Sequence, residues 1–399
     1  MRITHIEDFF HPDAGYQINI LSKYMVKQGH QVTIVTSQMD KIPENLTSFF
    51  GRDNIEEADR NFTKQTGVQI VRVPLNAYIS GRAVFHKSLF KVVDQLSPNI
   101  LYVHGNDTLT GMKYLLKRKR LNYPLVMDSH MLEMASKNPF NKVYRAIYRM
   151  LFTPVIKKNS IKIIRTQDDN YVEKCLGIPL SLCPWISVGS DTLLFHPNKD
   201  KRQIFRKEND ISENDFVVVY TGKLDDSKGG KLLAEAFKHK LHNSKNKPVV
   251  LVVVGNTSGE YGKEVEEIFS LSENRILRFP TQKYIDLPKF YQSADLSVFP
   301  KQCSLSFNDA QACGLPVVSE QNNINVDRLN HNNGFTFIPE DIADFRRNIL
   351  KCIEINEEEY TKMSGNAYKF IKEHYDYEYI TNEYLIVLIS EYEKFWEYR

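Results

Sequence analysis

Residues 296–319 read LSVFPKQCSLSFNDAQACGLPVVS. The stretch opens on an apolar run of strand length, Leu296–Phe299, and closes on another, Pro316–Ser319. Between them a proline, a serine-rich turn and a run ending at Gly314 leave room for one short helix. Two strands joined through a helix run parallel, so this stretch predicts a parallel α/β sheet covered on both faces.

The same alternation extends through the chain. Strands are expected at Met1–Ile6, Val32–Thr36, Ile70–Val73, Ile100–Val103, Leu125–Met127, Ile161–Ile164, Phe216–Tyr220, Val249–Val254, Ile276–Phe279 and Phe335–Ile338, with helix-like stretches between. A length of 399 residues exceeds one ordinary core. The polar, proline-containing stretch 195–201 reads as a linker. The fold class expected is α/β, with two Rossmann-like, doubly wound domains over residues 1–197 and 198–375. Residues 376–399 form a terminal helix whose Ile380, Tyr384, Leu385 and Leu388 need a face to cover.

Composition narrows the class. Hydrophobic residues make up 42% and charged residues 25%, an ordinary globular balance. No apolar run approaches the length needed to cross a bilayer. The start, MRITHIEDFF, has acids where a secretory signal would be apolar, and five cysteines without a close-set pair argue against disulfides or a zinc site. Both readings point to the cytoplasm. Residues 1–200 carry 26 Lys and Arg against 18 Asp and Glu, whereas residues 201–399 carry 26 against 31. The first half is therefore the one to meet an anionic partner, or simply the one with more solvated cations.

Doubly wound sheets bind ligands beyond the C-terminal ends of their strands. Neither GxGxxG nor GxxxxGKS/T occurs, which sets aside dehydrogenases and P-loop enzymes. After Phe216–Tyr220 comes TGKLDDSKGG (221–230), a glycine-rich loop that can bring Lys223, Lys228 and backbone N–H groups onto a diphosphate, or merely form a solvated turn. After Leu296–Phe299, Ser304 or Ser306 can cap a helix facing the same crevice. Asp309 then either accepts from ribose hydroxyls or pairs with Ser306 as a capping-box variant.

The two loops, at this separation and followed by Gly-Leu-Pro-Val-Val, resemble the donor site of glycosyltransferase family 4, the retaining nucleotide-sugar enzymes of GT-B fold. That family carries a Gly-Arg/Lys-Leu…Lys-Gly loop. A second motif has two glutamates eight apart and ends Glu-Ala-x-Ala-x-Gly-x-Pro-Val. Asp309–Val317 matches that ending with Asp for the second Glu. The resemblance implies that Lys223 and Lys228 hold the donor diphosphate with Gly15 of the HPDAG loop and the backbone of Ser304, Leu305 and Ser306. It implies that Asp309 takes the ribose, that His130 is the catalytic residue lining the sugar site, and that His104 lies on the acceptor side. Pro184–Asp191 and Asn333-Gly334-Phe335 fit the same family, as does a terminal helix that crosses back onto the first domain.

One position departs. Eight residues before Asp309 the chain has Lys301 where the family has its first glutamate, and neighbouring Gln302 and Cys303 offer no acid. Donor-sugar specificity is therefore expected at Lys301 and Cys303. Either the sugar is acidic or lacks the hydroxyl usually read there, or Lys301 joins the diphosphate clamp.

The reaction implied is sugar transfer from a nucleotide sugar, a UDP-sugar, to a glycan or polyprenyl-linked glycan in surface polysaccharide synthesis. It needs no cofactor and no metal, because fixed cations can meet the charge developing on the leaving diphosphate. Basic, aromatic segments at 112–120 and 140–152 suggest an anionic membrane surface as a further partner, against the plainer reading of core-facing helices. No nucleic-acid motif accompanies the charge. A UDP-sugar 2-epimerase and a donor-binding subunit without catalysis are the rival readings.

Overall fold

Strands covered on both faces need no polar alternation, and every expected strand forms within a residue or two of its apolar run. In chain order they are β1 (Arg2–Glu7), β2 (Gln31–Ser37), β3 (Gln69–Val73), β4 (Leu75–Ile79), β5 (Arg82–Phe85), β6 (Ile100–Val103), β7 (Leu125–Ser129) and β8 (Ile163–Arg165). There follow β9 (Phe216–Thr221), β10 (Val249–Val254), β11 (Arg275–Phe279), β12 (Leu296–Phe299), β13 (Val317–Glu320) and β14 (Gly334–Phe337). The structure is a computed structural model that describes residues 1–42, 54–79, 81–131, 141–301 and 305–397.

Two six-stranded parallel sheets result, ordered β3-β2-β1-β6-β7-β8 and β11-β10-β9-β12-β13-β14. β9 and β10 are buried at every position, which accounts for FVVVYT and VVLVVV. The antiparallel hairpin β4–β5, turned at Gly81 (φ +78°), was not expected from the sequence.

The chain forms two units, Met1–Val188 with Tyr377–Arg399, and Gly189–Asp376. The first unit thus ends upstream of the stretch expected as a linker. That stretch is anchored in the second unit: Phe195 is fully buried, with ring centroids 5.1 Å from Tyr284 and 5.8 Å from Tyr291. Asn198 also caps the helix Lys199–Glu208 by accepting from the Lys201 N–H. The helix Tyr377–Glu397 belongs to the first unit. There Tyr384 accepts from Gln17 Nε2 and donates to the Ile186 carbonyl, and Leu385 and Leu388 are buried.

Each sheet reverses its strand order once, between β1 and β6 and between β9 and β12. Loops splay apart at such a reversal and leave a crevice. The motifs read from the sequence follow these strands and their neighbour β7.

Candidate active site

In the second unit the lysine–glycine loop leaves β9 beside the loop that leaves β12. Asp225 shapes the first loop, its Oδ1 accepting from the Lys228 N–H (3.1 Å) and from Ser227 Oγ (2.7 Å). Gly229 takes φ +76°, and a Cβ there would meet Lys301 Cγ and Pro300 Cβ at 3.0 Å. Glycine is thus what lets the two loops close on each other. Lys223 is exposed and Lys228 half-buried on this loop.

Lys301 joins the same rim. Its ammonium pairs with Glu340 (2.8 Å) and approaches Asp226 (3.6 Å). Two carboxylates from other segments therefore stand beside Lys301, where the sequence itself has no acid at 301–303. Glu340 holds a left-handed backbone (φ 62°), a conformation that costs a non-glycine residue energy and that clusters at functional sites. With two carboxylates already on its ammonium, Lys301 has less positive charge to offer an acidic sugar than the sequence suggested.

The helix after β12 spans Leu305–Ala312, so Ser306 lies within its first turn and is not its cap. The Ser306 hydroxyl instead meets that of Tyr291, which bonds Thr221 Oγ1 at 2.5 Å and ties this helix to the end of β9. Asp309 does not close a capping box either. It is 2% exposed, and its Oδ1 accepts from Ser190 Oγ at 2.6 Å and from the Tyr284 hydroxyl at 3.5 Å. Cys303 and Ser304, with Gln302, lie outside the described residues.

Burial pushes the Asp309 carboxyl up to about 8, with Asp191 adding to the rise and the Ser190 bond opposing it. The native state thus keeps a proton that the unfolded chain releases near pH 4, so this group's contribution to stability falls as pH rises from about 4 to about 8. Asp309→Asn keeps an oxygen for Ser190 and removes the penalty. It is expected to raise Tm at pH 7.5, with a smaller gain at pH 5, and to weaken nucleotide binding about tenfold or more, because the amide NH2 replaces the Oδ2 acceptor. Calorimetric melting at the two pH values checks the first half; a variant that melts lower at pH 7.5 contradicts it.

The first unit places its histidines at its own strand reversal. His104 follows β6, Asp128 sits in β7, and His130 lies just beyond it. Asp128 is fully buried and gathers four donors: Gly105 N–H on Oδ1 (2.7 Å), with the Tyr102 hydroxyl (2.9 Å), His104 Nδ1 (2.8 Å) and His130 Nε2 (3.2 Å) on Oδ2. Gly105 turns with φ +83° to deliver its N–H. His5 Nδ1 meets His104 Nε2 at 3.0 Å, extending the chain of contacts inward.

Burial alone would raise the Asp128 carboxyl, but His130 and His104 hold it well below the usual range. Burial would lower His130, yet the Asp128 charge dominates and lifts it to about 8. His130 also faces Thr166 Oγ1 through Nδ1 (3.0 Å), and that hydroxyl lies 3.3 Å from the Ser129 carbonyl. The pattern suits an imidazolium donating from both nitrogens. The Asp128 carboxylate thus favours the cationic form of His130, 45% of whose side chain is exposed. Glu7, at the end of β1, lies 4.0 Å from His104 Nδ1, and burial pushes its carboxyl up to about 7. The ligand atoms of His104, Asp128 and His130 lie within 4.8 Å of one another, a spacing one cation could bridge. Both histidines already meet the carboxylate at hydrogen-bonding distance.

Gly15 ends the HPDAG loop, which follows β1 and leads into the helix Gln17–Lys27. Asn19 Nδ2 ties that loop by donating to the His11 carbonyl (2.9 Å), and Tyr16 makes no side-chain cap to the helix. The sequence reading missed Asp128, Glu7, Ser190, Tyr284 and Glu340. Only the first two carry a local signal, a carboxylate at a strand end.

Comparison with known proteins identifies the family. The family model for glycosyl transferases group 1 matches residues 201–370, and the model for glycosyltransferase family 4 matches residues 14–157. A probable sucrose-phosphate synthase from Thermosipho melanesiensis is 23% identical over 96% of this chain and 92% of its own. A D-inositol 3-phosphate glycosyltransferase from Corynebacterium jeikeium is 25% identical over 54% of this chain and 55% of its own. Among solved structures, Anabaena HepE in complex with UDP-glucose shares the fold with a TM-score of 0.72 and 18% identity, covering 98% of this chain and 100% of that one. The chain belongs to glycosyltransferase family 4, with the GT-B fold, and is a glycosyltransferase that uses a nucleotide-sugar donor.

Proposed function

We propose that the chain transfers a sugar from a UDP-sugar, with retention of configuration, to a hydroxyl of a glycan or polyprenyl-linked glycan, in the synthesis of a surface polysaccharide or glycoconjugate. The observation that carries the donor half is the junction of the Lys223–Lys228 loop with the Lys301 loop where the second sheet reverses its order. The diphosphate would lie on Lys223, Lys228 and the first-turn N–H groups at Leu305, and the ribose would take Asp309 Oδ2. Charge on the departing diphosphate is then met by cations already in place, without reorganisation. The His130 imidazolium would line the sugar, and Gly15 would let backbone approach the phosphates. The UDP-glucose bound in the Anabaena relative supports uridine as the base.

The names of two relatives favour a second reading of the acceptor, a small phosphorylated molecule. A donor screen by thermal shift, followed by transfer assays with polyprenyl-linked glycan or D-inositol 3-phosphate, separates the two. The fitting nucleotide sugar at about a hundred times its Kd stabilises by about 2.7 kcal/mol. Transfer is expected to proceed unchanged in EDTA. A loss restored by a divalent cation would instead make the His104, Asp128 and His130 cluster a metal site.

A further inference from the structure

The β4–β5 hairpin belongs to neither six-stranded sheet. Two short strands hold together only marginally by themselves, so this pair needs an anchor. The anchor is Asp8, which follows β1 and is 7% exposed. Its Oδ2 accepts from the Ala83 N–H (3.1 Å) and its Oδ1 from the Thr110 hydroxyl (3.3 Å). Arg82 of the hairpin then meets Asp107, in the loop after β6, at 3.4 Å. These contacts fix the hairpin beside the strand reversal of the first sheet, at the strand ends where His104 and His130 stand.

Glu7 lies at the centre of this arrangement. Its Oε1 accepts from the Asp8 N–H (2.9 Å), and its side chain keeps 26% exposure. Its basic neighbour, His104 Nδ1 at 4.0 Å, already meets Asp128 at 2.8 Å. Burial raises the Tyr16 and Tyr78 phenols, and the Glu7 charge adds to both rises. Against burial, Asp128 lifts His130, and Glu7 and Asp107 add to that lift. Two tyrosine rings, Tyr16 44% exposed and Tyr78 half-buried, thus stand in reach of one carboxylate, with an imidazolium nearby.

Charge at this crevice suits a phosphate poorly. Arg82 lies with Asp107, and His104 and His130 lie with Asp128, so each of these cations already faces a carboxylate. Lys41, at the foot of the hairpin, donates to the Leu75 and Asn76 carbonyls (2.8 and 3.2 Å). A phosphate dianion would meet matched cations and the open Glu7 charge. A sugar ring instead brings hydroxyl donors for the carboxylate and an apolar face for an aromatic ring.

We propose that the acceptor enters this crevice as an uncharged sugar ring, its hydroxyls donating to Glu7 and its apolar faces against Tyr16 and Tyr78. The proposal rests on the transfer reading above and chooses between its two acceptors, the glycan over the small phosphorylated molecule. The test pairs uncharged acceptors with their phosphate esters, myo-inositol with D-inositol 3-phosphate and methyl hexosides with their 6-phosphates. Transfer by the full chain is measured at pH 8, above the Glu7 value of about 7. In each pair that reacts, the uncharged member is expected to have the higher kcat/KM by about tenfold or more. Glu7→Gln is expected to shrink that ratio about threefold or more, with the Kd for UDP unchanged. Tyr16 makes no side-chain cap to its helix, so Tyr16→Ala spares the fold. It is expected to raise the acceptor KM about threefold to tenfold. A phosphate ester that reacts faster than its parent, a ratio unmoved by Glu7→Gln, an acceptor KM unmoved by Tyr16→Ala, or an enzyme that binds UDP yet transfers to no uncharged acceptor overturns the proposal. An enzyme that binds no UDP overturns the donor reading and this proposal with it.

Discussion

Lys228→Ala is expected to lower kcat by about thirty- to a thousandfold, the equivalent of about 2–4 kcal/mol for a preorganised charge facing the leaving group. The loss should fall on kcat more than on KM, because negative charge on the diphosphate grows toward the transition state. The fold should survive. The turn Asp226–Lys228 is held by the Lys228 backbone N–H on Asp225, which the substitution leaves in place. Steady-state kinetics with a saturating donor checks this. Turnover unchanged in a well-folded Lys228→Ala enzyme would refute the donor assignment.

Asp128→Asn should be nearly as costly, in a way a purely structural residue would not be. Three donors converge on Asp128 Oδ2 and Gly105 N–H on Oδ1, so an amide must turn its own N–H groups toward one set of donors. Breaking a buried charged network this way costs about 3–5 kcal/mol of stability. The distinguishing readout is His130. Its pKa, about 8 with the carboxylate present, should fall to about 6.5 or below, since burial remains while the charge is gone. In the natural chain the stability owed to His130 is full below about pH 6.5 and is lost as pH rises through about 8. That slope should vanish in the variant. Histidine-selective NMR titration with melting curves over this window checks both. An unmoved His130 pKa would show that Asp128 does not hold the cation.

The sheets were legible because strands buried on both faces leave continuous apolar runs, of which β10, VVLVVV, is the clearest. The β4–β5 hairpin was not, since Leu75–Ile79 and Arg82–Phe85 mix polar and apolar residues in short edge strands. Residues 195–201 looked like a linker because one buried aromatic, Phe195, hides in a polar stretch. In the site, Lys223, Lys228, Asp309, His104 and His130 could be located because each follows a strand or occupies a recognisable motif. Of the two serines offered as caps for the helix after β12, Ser306 falls inside it because the helix begins at Leu305, and Ser304 lies outside the described residues. Glu340, Ser190 and Tyr284 meet Lys301 or Asp309 only through tertiary packing, and no spacing rule connects them. Lys301 therefore changed its meaning. As a sequence feature it was a missing acid; in the structure it binds two acids to the rim of the donor loop.

The central claim is that the nucleoside diphosphate lies where the β9 and β12 loops meet. A crystal structure of the full chain with UDP tests it most directly. The account predicts the diphosphate against Lys228 and the turn at Leu305, with the ribose on Asp309. UDP bound away from Lys228 and Asp309 would contradict it.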